Sequence, residues 1–181
     1  DQEGNVKREA IHLQGILNRP VNVVVTDKDP KALSIDEIKK ELESKGYHFK
    51  SDTDTEVLLN FIEDIKINNN CTLEEALRIA LKRIVGAYCI LLISKDEPDT
   101  IIAARKGSPL VIGIGKGEHF LASDASPIIE YTKEVVYVND YEIAIVKPDE
   151  LILKNLGNEK QTPFITKLDM ELAAIEKGGY D

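Results

Sequence analysis

Arg105-Lys106-Gly107-Ser108-Pro109-Leu110-Val111-Ile112-Gly113-Ile114-Gly115-Lys116-Gly117-Glu118-His119-Phe120-Leu121-Ala122-Ser123-Asp124 is the stretch whose reading decides the fold. It follows an apolar run, turns through Gly-Ser-Pro, runs again from Leu110 to Ile114, turns at Gly115 to Gly117, and closes with a third short run. The pattern predicts strand, turn, strand, turn, strand, and then a helix that starts at Ser126-Pro127 and runs through Tyr131, with proline at its first position. Connections this short leave no room for crossover helices, so the strands are expected to be antiparallel.

Working outward, Ala87 to Ile93 and Thr100 to Ala104 read as a hairpin about the acidic turn Asp96-Glu97-Pro98-Asp99. Glu134 to Val138 and Glu142 to Val146 read as a second hairpin about Asn139-Asp140. Glu150 to Leu153 adds an edge strand, residues 154–165 a loop, and Thr166 to Lys177 a helix stopped by Gly178-Gly179. Upstream the period is helical. Ser34-Ile35-Asp36-Glu37, Thr53-Asp54-Thr55-Glu56 and Thr72-Leu73-Glu74-Glu75 each have the capping-box spacing, in which hydroxyl and carboxylate satisfy each other's backbone amides. The helices they open should end near Ser44, at Asn68-Asn69-Asn70 and before Gly86. Tyr47 to Phe49 reads as a short extended segment. In residues 1–32, Val21 to Thr26 is a strand candidate and Glu9 to Leu17 fits either helix or strand.

Composition narrows the function. A chain of 181 residues with 43% hydrophobic content can fill a core. A net charge of -9 without a basic cluster disfavours a nucleic-acid partner, since no stripe could neutralise phosphates. No apolar run approaches the ~20 residues of a bilayer span, and the first residues do not have the pattern of a signal peptide, so the expectation is a cytoplasmic protein without a membrane partner. Cys71 and Cys89 lack metal-ligand or redox spacing and read as free thiols.

The candidate site residues each carry two readings. Gly107, Gly113, Gly115 and Gly117 suggest a phosphate cradle, but they match neither nucleotide fingerprint and suit turns. Arg105, Lys106 and His119 form either an anion site or a wet surface. His119 has no serine or cysteine at a spacing that would need it as a base. His12, His48 and His119 are too dispersed for a metal site, and neither a metal nor a cofactor is expected. Cys89 reads as a buried strand residue. Cys71 lies near a helix start, which could lower a thiol's pKa. Asp54 is the most informative side chain: in the first turn of a helix it either caps the helix or, held ionised by unpaired amides, receives the ammonium group of an amino acid. Asp124, also before an expected helix, has the same ambiguity.

Five stretches in order carry a family resemblance: Ser51-Asp52-Thr53-Asp54-Thr55-Glu56-Val57, Gly86-Ala87-Tyr88, Ala104 to Gly113, Phe120-Leu121-Ala122-Ser123-Asp124, and Glu176-Lys177-Gly178-Gly179-Tyr180. Together they resemble the glutaminase domain of the class II amidotransferases that make glucosamine 6-phosphate from glutamine and fructose 6-phosphate. The resemblance implies an α+β, four-layer N-terminal-nucleophile-like sandwich of antiparallel sheets and helices, incomplete at its N-terminus, with an atypical segment over 1–32 and a partial glutaminase-type domain over 33–181. It also implies that Asp54 binds the glutamine amine and that glutamine and a sugar-isomerase domain are partners; a truncated sheet would expose edges that could pair with a second copy, so a homo-dimer is a further expectation. The family's nucleophile is an N-terminal cysteine, whereas residue 1 here is Asp1. Its histidine-asparagine-glycine oxyanion loop has its nearest counterpart in His12-Leu13-Gln14-Gly15-Ile16, without the asparagine. The expectation is therefore no catalytic residue in this chain and no glutamine hydrolysis by it alone. The alternative is a noncatalytic amino-acid-binding or self-associating module.

Overall fold

The computed structural model describes residues 32–168. The expectations for residues 1–31, and for the helix and Glu-Lys-Gly-Gly-Tyr motif beyond Leu168, lie outside the described residues. The chain divides into two compact units at Pro98/Asp99.

The first unit is built by its caps. Helix α1 spans Ile35–Ser44, α2 spans Asp54–Asn69, α3 spans Leu73–Arg83, and strand β1 spans Tyr88–Ser94. Ser34 and Thr72 form complete capping boxes with Glu37 and Glu75. Each exchange stabilises its helix by ~1 kcal/mol. Helix α2 ends where Asn70 turns left-handed at φ 48°. Helix α3 stops at Arg83 rather than running up to Gly86, because Ile84 turns extended and forms a parallel bridge with Leu33. Ile38, Leu42, Leu58, Phe61 and Leu77 are wholly buried at helical spacing, each such side chain contributing ~1.5–3 kcal/mol. Residues 47–49 do not form a strand; Tyr47 hydrogen-bonds back to Leu42 and is buried.

Strands β2 (Glu97–Lys106), β6 (Glu142–Lys147), β7 (Glu150–Asn155) and β8 (Lys160–Gln161) lie side by side in that order. Strands β4 (His119–Ala122), β3 (Val111–Ile114), β5 (Glu134–Tyr137) and β9 (Ile165–Lys167) form a four-stranded sheet, again in that order. Every pairing within these two sets is antiparallel, as expected from the short connections.

Several expectations need correction. Glu97 and Pro98 belong to β2, so the turn before it is confined to Lys95-Asp96. Residues 126–131 make turns, not a helix: the amides of Ile128 and Ile129 both return to the Ala125 carbonyl, and those of Tyr131 and Thr132 both return to Ile128. A regular ladder would have advanced one carbonyl per residue. The Thr132 hydroxyl donates to Ile114 (2.6 Å) and accepts from the Glu134 amide (3.1 Å), drawing the chain directly into β5. Residues 154–165 are not a loop. A tight turn closed by Asn155 and Glu159, with Asn158 at φ 70°, brings β8 back onto β7, so β7 is not an edge. Thr166 and Lys167 are strand residues of β9, paired with β5.

The largest correction concerns Asn139-Asp140. Strands β5 and β6 are not a hairpin, since β5 pairs with β3 and β9 while β6 pairs with β2 and β7. The chain changes sheets there, as it does between β2 and β3 at Gly107 to Leu110. Asp140 ties the two changeovers together: its carboxylate accepts from the Gly107 amide (2.8 Å) and from the Arg105 guanidinium. The Gly107 amide and then Arg105 hold that carboxyl below its ordinary range. Gly107 takes φ +72°, a conformation costly for other residues.

Gly113 sits in the middle of β3, opposite Phe120 and Val135. A Cβ there would collide with Ile128 Cγ2 and lie 2.9 Å from Thr132 Cγ2. Those side chains belong to the turn that packs Ile128 and Ile129 against Val111 and Val135. Gly113→Ala is expected to cost ~1–3 kcal/mol through overpacking. A lower urea midpoint at unchanged m-value would show it, and an unchanged midpoint would contradict the close packing.

Candidate functional site

The site is built at the N-terminus of α2. Thr53 is the N-cap, with its hydroxyl accepting from the Glu56 amide (3.3 Å), and Asp54 is the first helical residue, half-buried. The expected capping box is only half present. In α1 and α3 the glutamate folds back on the N-cap amide, with Ser34 N to Glu37 at 2.9 Å and Thr72 N to Glu75 at 3.1 Å. In α2, Glu56 reaches past the cap. It accepts from the amides of Lys50 (2.8 Å) and Ser51 (2.7 Å) and from the Ser51 hydroxyl (2.6 Å). The Lys50 amide first, and then the Ser51 hydroxyl, hold its carboxyl below the ordinary range.

The rest of the loop follows from proton accounting. A serine hydroxyl has one proton to donate, and that of Ser51 goes to Glu56. The 2.9 Å contact between the Ser51 and Thr53 hydroxyls is therefore donated by Thr53, whose amide also points to Ser51 Oγ at 3.4 Å. Residues 50–56 thus form a closed ring of hydrogen bonds carrying Asp54 onto the helix. Beside it, Lys39, Glu43, Tyr47, His48, Phe49, Lys50, Ser51 and Asp52 line an open groove of about 630 Å³. Sequence reasoning singled out Asp54 but missed the roles of Lys50, Ser51 and Glu56. The only available signal was a capping-box glutamate with an additional serine five residues upstream.

The other candidates are occupied elsewhere. Arg105 pairs with Asp140, Lys106 Nζ lies 5.1 Å from the centre of the Tyr141 ring, and His119 Nδ1 is 2.8 Å from the Lys147 carbonyl oxygen. These contacts fasten strands and sheet changeovers. Asp124 accepts from the Ser126 amide (2.7 Å), and hydrogen bonds from Ser126 keep its carboxyl below the ordinary range, so it caps a turn. Cys89 is buried in β1. Cys71 departs from the lowered pKa considered for it: burial, followed by the charge of Glu75, pushes the thiol up. Among the described residues no helix is long and apolar enough to cross a membrane, and no cluster of three His, Cys, Asp or Glu side chains is placed to hold a metal.

A sequence model described as "Glutamine amidotransferase domain" matches residues 32–130, more than half of the chain. The chain belongs to the glutamine amidotransferase domain family. The family match includes the Asp54 loop and ends within the turns before β5. A glutamine–fructose-6-phosphate aminotransferase [isomerizing] of Bacteroides thetaiotaomicron is 51% identical over 144 residues, which is 79% of this chain and 24% of that protein. The same enzyme of Chlorobaculum tepidum is 50% identical over 145 residues, 80% of this chain and 24% of the relative. The chain therefore spans about a quarter of the length of these relatives. Among solved structures, glutamine phosphoribosylpyrophosphate amidotransferase from B. subtilis, complexed with ADP and GMP, superposes with a TM-score of 0.57. It is 24% identical, and the match covers 69% of this chain and 27% of that one. This likeness bears on the fold alone, and with it the expected α+β class, with helices and antiparallel sheets, is met.

Proposed function

We propose that this chain supplies the glutamine-binding part of an enzyme that transfers the glutamine amide nitrogen to fructose 6-phosphate, and that Asp54 receives the substrate's α-ammonium group. The observation carrying this reading is the placement of Asp54 on the first turn of α2, behind a loop closed by its own hydrogen bonds, in a chain 51% identical to such an aminotransferase. A carboxylate there is favoured in its charged form by the helix N-terminus and can pair with an ammonium. The sugar-isomerase part of the enzyme is the natural partner, and the cytosol the natural setting, for this chemistry.

Binding and cleavage separate in this reading. Amide hydrolysis by a thiol needs a thiolate nucleophile. The two cysteines of the sequence are poorly placed to provide one, because Cys89 is buried and burial, then the charge of Glu75, pushes the Cys71 thiol up. The 181-residue chain is expected to bind glutamine without releasing ammonia. Calorimetric titration with glutamine, run beside an ammonia assay, tests both halves. Heat of binding with ammonia at blank level supports the reading. Turnover lost in Asp54→Ala would overturn the noncatalytic half, and absence of binding would overturn the other.

A further inference from the structure

Three helices of this chain begin with the same Ser/Thr-x-x-Glu signature, and two of them use it in the same way. Glu37 and Glu75 return to their own N-cap amides, at 2.9 and 3.1 Å. Glu56 leaves its own N-cap amide and accepts instead from the chain before the cap, through the Lys50 and Ser51 amides and the Ser51 hydroxyl. The exception falls on the helix that carries Asp54.

We infer that Glu56 is a positioning residue for the α-amine site: its carboxylate clasps residues 50 and 51 and thereby fixes the turn that delivers Asp54 to the first position of α2. The inference rests on the reading that Asp54 takes the ammonium group. Local chemistry explains why the clasp matters. Glutamate has two oxygens free of protons, and here they collect three donors. Glutamine at this position has one acceptor oxygen and a donating amide nitrogen, so it cannot accept from both backbone amides at the same two sites. With the amide oxygen at the Oε2 site the Lys50 amide faces a donating nitrogen, and with it at Oε1 the Ser51 amide and hydroxyl lose their acceptor, so either orientation opens the clasp at one end. The clasp also keeps the Glu56 carboxylate engaged with donors of the preceding loop. A capping role would be local to helix stability. A positioning role reaches the ligand.

The two are separated by comparing Glu56→Gln with Glu37→Gln, which disrupts a true capping box on α1. Amide exchange measured by NMR, and glutamine titration followed by the backbone resonances of residues 53–56, provide the readouts. Glu56→Gln is expected to speed exchange at Lys50 and Ser51 and to weaken glutamine binding about tenfold, the loss typical of one hydrogen bond to a charged group. Glu37→Gln is expected to lower thermal stability to a similar degree while leaving glutamine affinity unchanged. If wild-type chain binds glutamine, Asp54→Asn weakens that binding about a hundredfold and Glu56→Gln retains wild-type affinity, the clasp is overturned while the Asp54 reading stands. Equal losses in Glu37→Gln and Glu56→Gln also overturn it, because helix stability alone would then explain both. If the wild-type chain shows no response to glutamine, or Asp54→Asn binds as well as wild type, the Asp54 reading fails and the positioning role fails with it.

Discussion

Replacing Asp64 by alanine is expected to destabilise the helical unit by ~3 kcal/mol. Asp64 lies on α2 and is 1% exposed. Its carboxylate pairs with Lys45 Nζ at 2.8 Å and accepts from the Tyr47 hydroxyl at 3.2 Å and from Asn68 Nδ2 at 2.9 Å. Lys45 in turn pairs with Glu41 at 3.0 Å, and Glu41 with Arg83 at 3.0 Å, so the network ties α1 to α2 and to α3. Truncation would leave Lys45 to Glu41 alone and remove the buried carboxylate to which the Tyr47 hydroxyl and Asn68 donate, and the cost is dominated by those lost acceptor contacts. Asp64→Asn keeps an acceptor for Tyr47 and should cost clearly less. Urea unfolding of the two variants measures the difference, and equal midpoints for Asp64→Ala and wild type would contradict a buried network.

The same network has a pH signature. Burial pushes the Glu41 carboxyl up, but hydrogen bonds and charge from Lys45 and Arg83 outweigh it and leave its pKa lowered. A carboxyl more acidic in the folded than in the unfolded chain stabilises the fold above its unfolded pKa. That contribution is lost as pH falls through the folded value. Stability should therefore decline below the ordinary glutamate range, and less steeply in Glu41→Gln.

The second large effect is expected on binding. Asp54→Asn should weaken glutamine binding about a hundredfold, because a charge-assisted hydrogen bond to the ammonium is replaced by a neutral amide that must also present its oxygen correctly. Asparagine is nearly isosteric with aspartate, and the Thr53 cap and Glu56 clasp do not involve the Asp54 side chain, so the helix should remain folded. The informative control is a glutamine analogue lacking the α-amine, whose affinity should be the same for wild type and Asp54→Asn. Calorimetry reads both. A variant that loses affinity for glutamine and analogue alike would place the effect in the fold rather than at the amine.

Asp54 and Glu56 show what kind of information lay in the sequence. Both stand in one short motif, and its resemblance to an amidotransferase signature pointed to Asp54 as the amine ligand. The partner of Glu56 was misread because the capping-box spacing is satisfied equally by a glutamate that folds back and by one that reaches forward. Only the path of residues 50 and 51 chooses between them. Cys71, a free thiol as its spacing implies, shows a related limit: proximity to a helix start is visible in sequence, whereas burial and the charge of Glu75 beside the thiol are not.

The fold divides in the same way. The starts of α1 and α3, the left-handed end of α2 and the turns of the Arg105 to Asp124 stretch were legible, because caps and turns are contracts between residues a few positions apart. The sequence by itself also determined that the second unit would be antiparallel, since its connections are too short for anything else. What only the tertiary structure decided was which strand each one joins. Asn139-Asp140 has the composition of a hairpin turn, yet Asp140 reaches residues more than thirty positions away, at Arg105 and Gly107, and sends β5 and β6 to different neighbours. Ser126-Pro127 has the composition of a helix start, yet the Thr132 hydroxyl bond to Ile114 and the packing of Ile128 and Ile129 against β3 and β5 convert it to a turn. Local propensities differ by only about 1 kcal/mol per residue, and long-range hydrogen bonds and burial of that size or larger override them wherever the chain returns to itself.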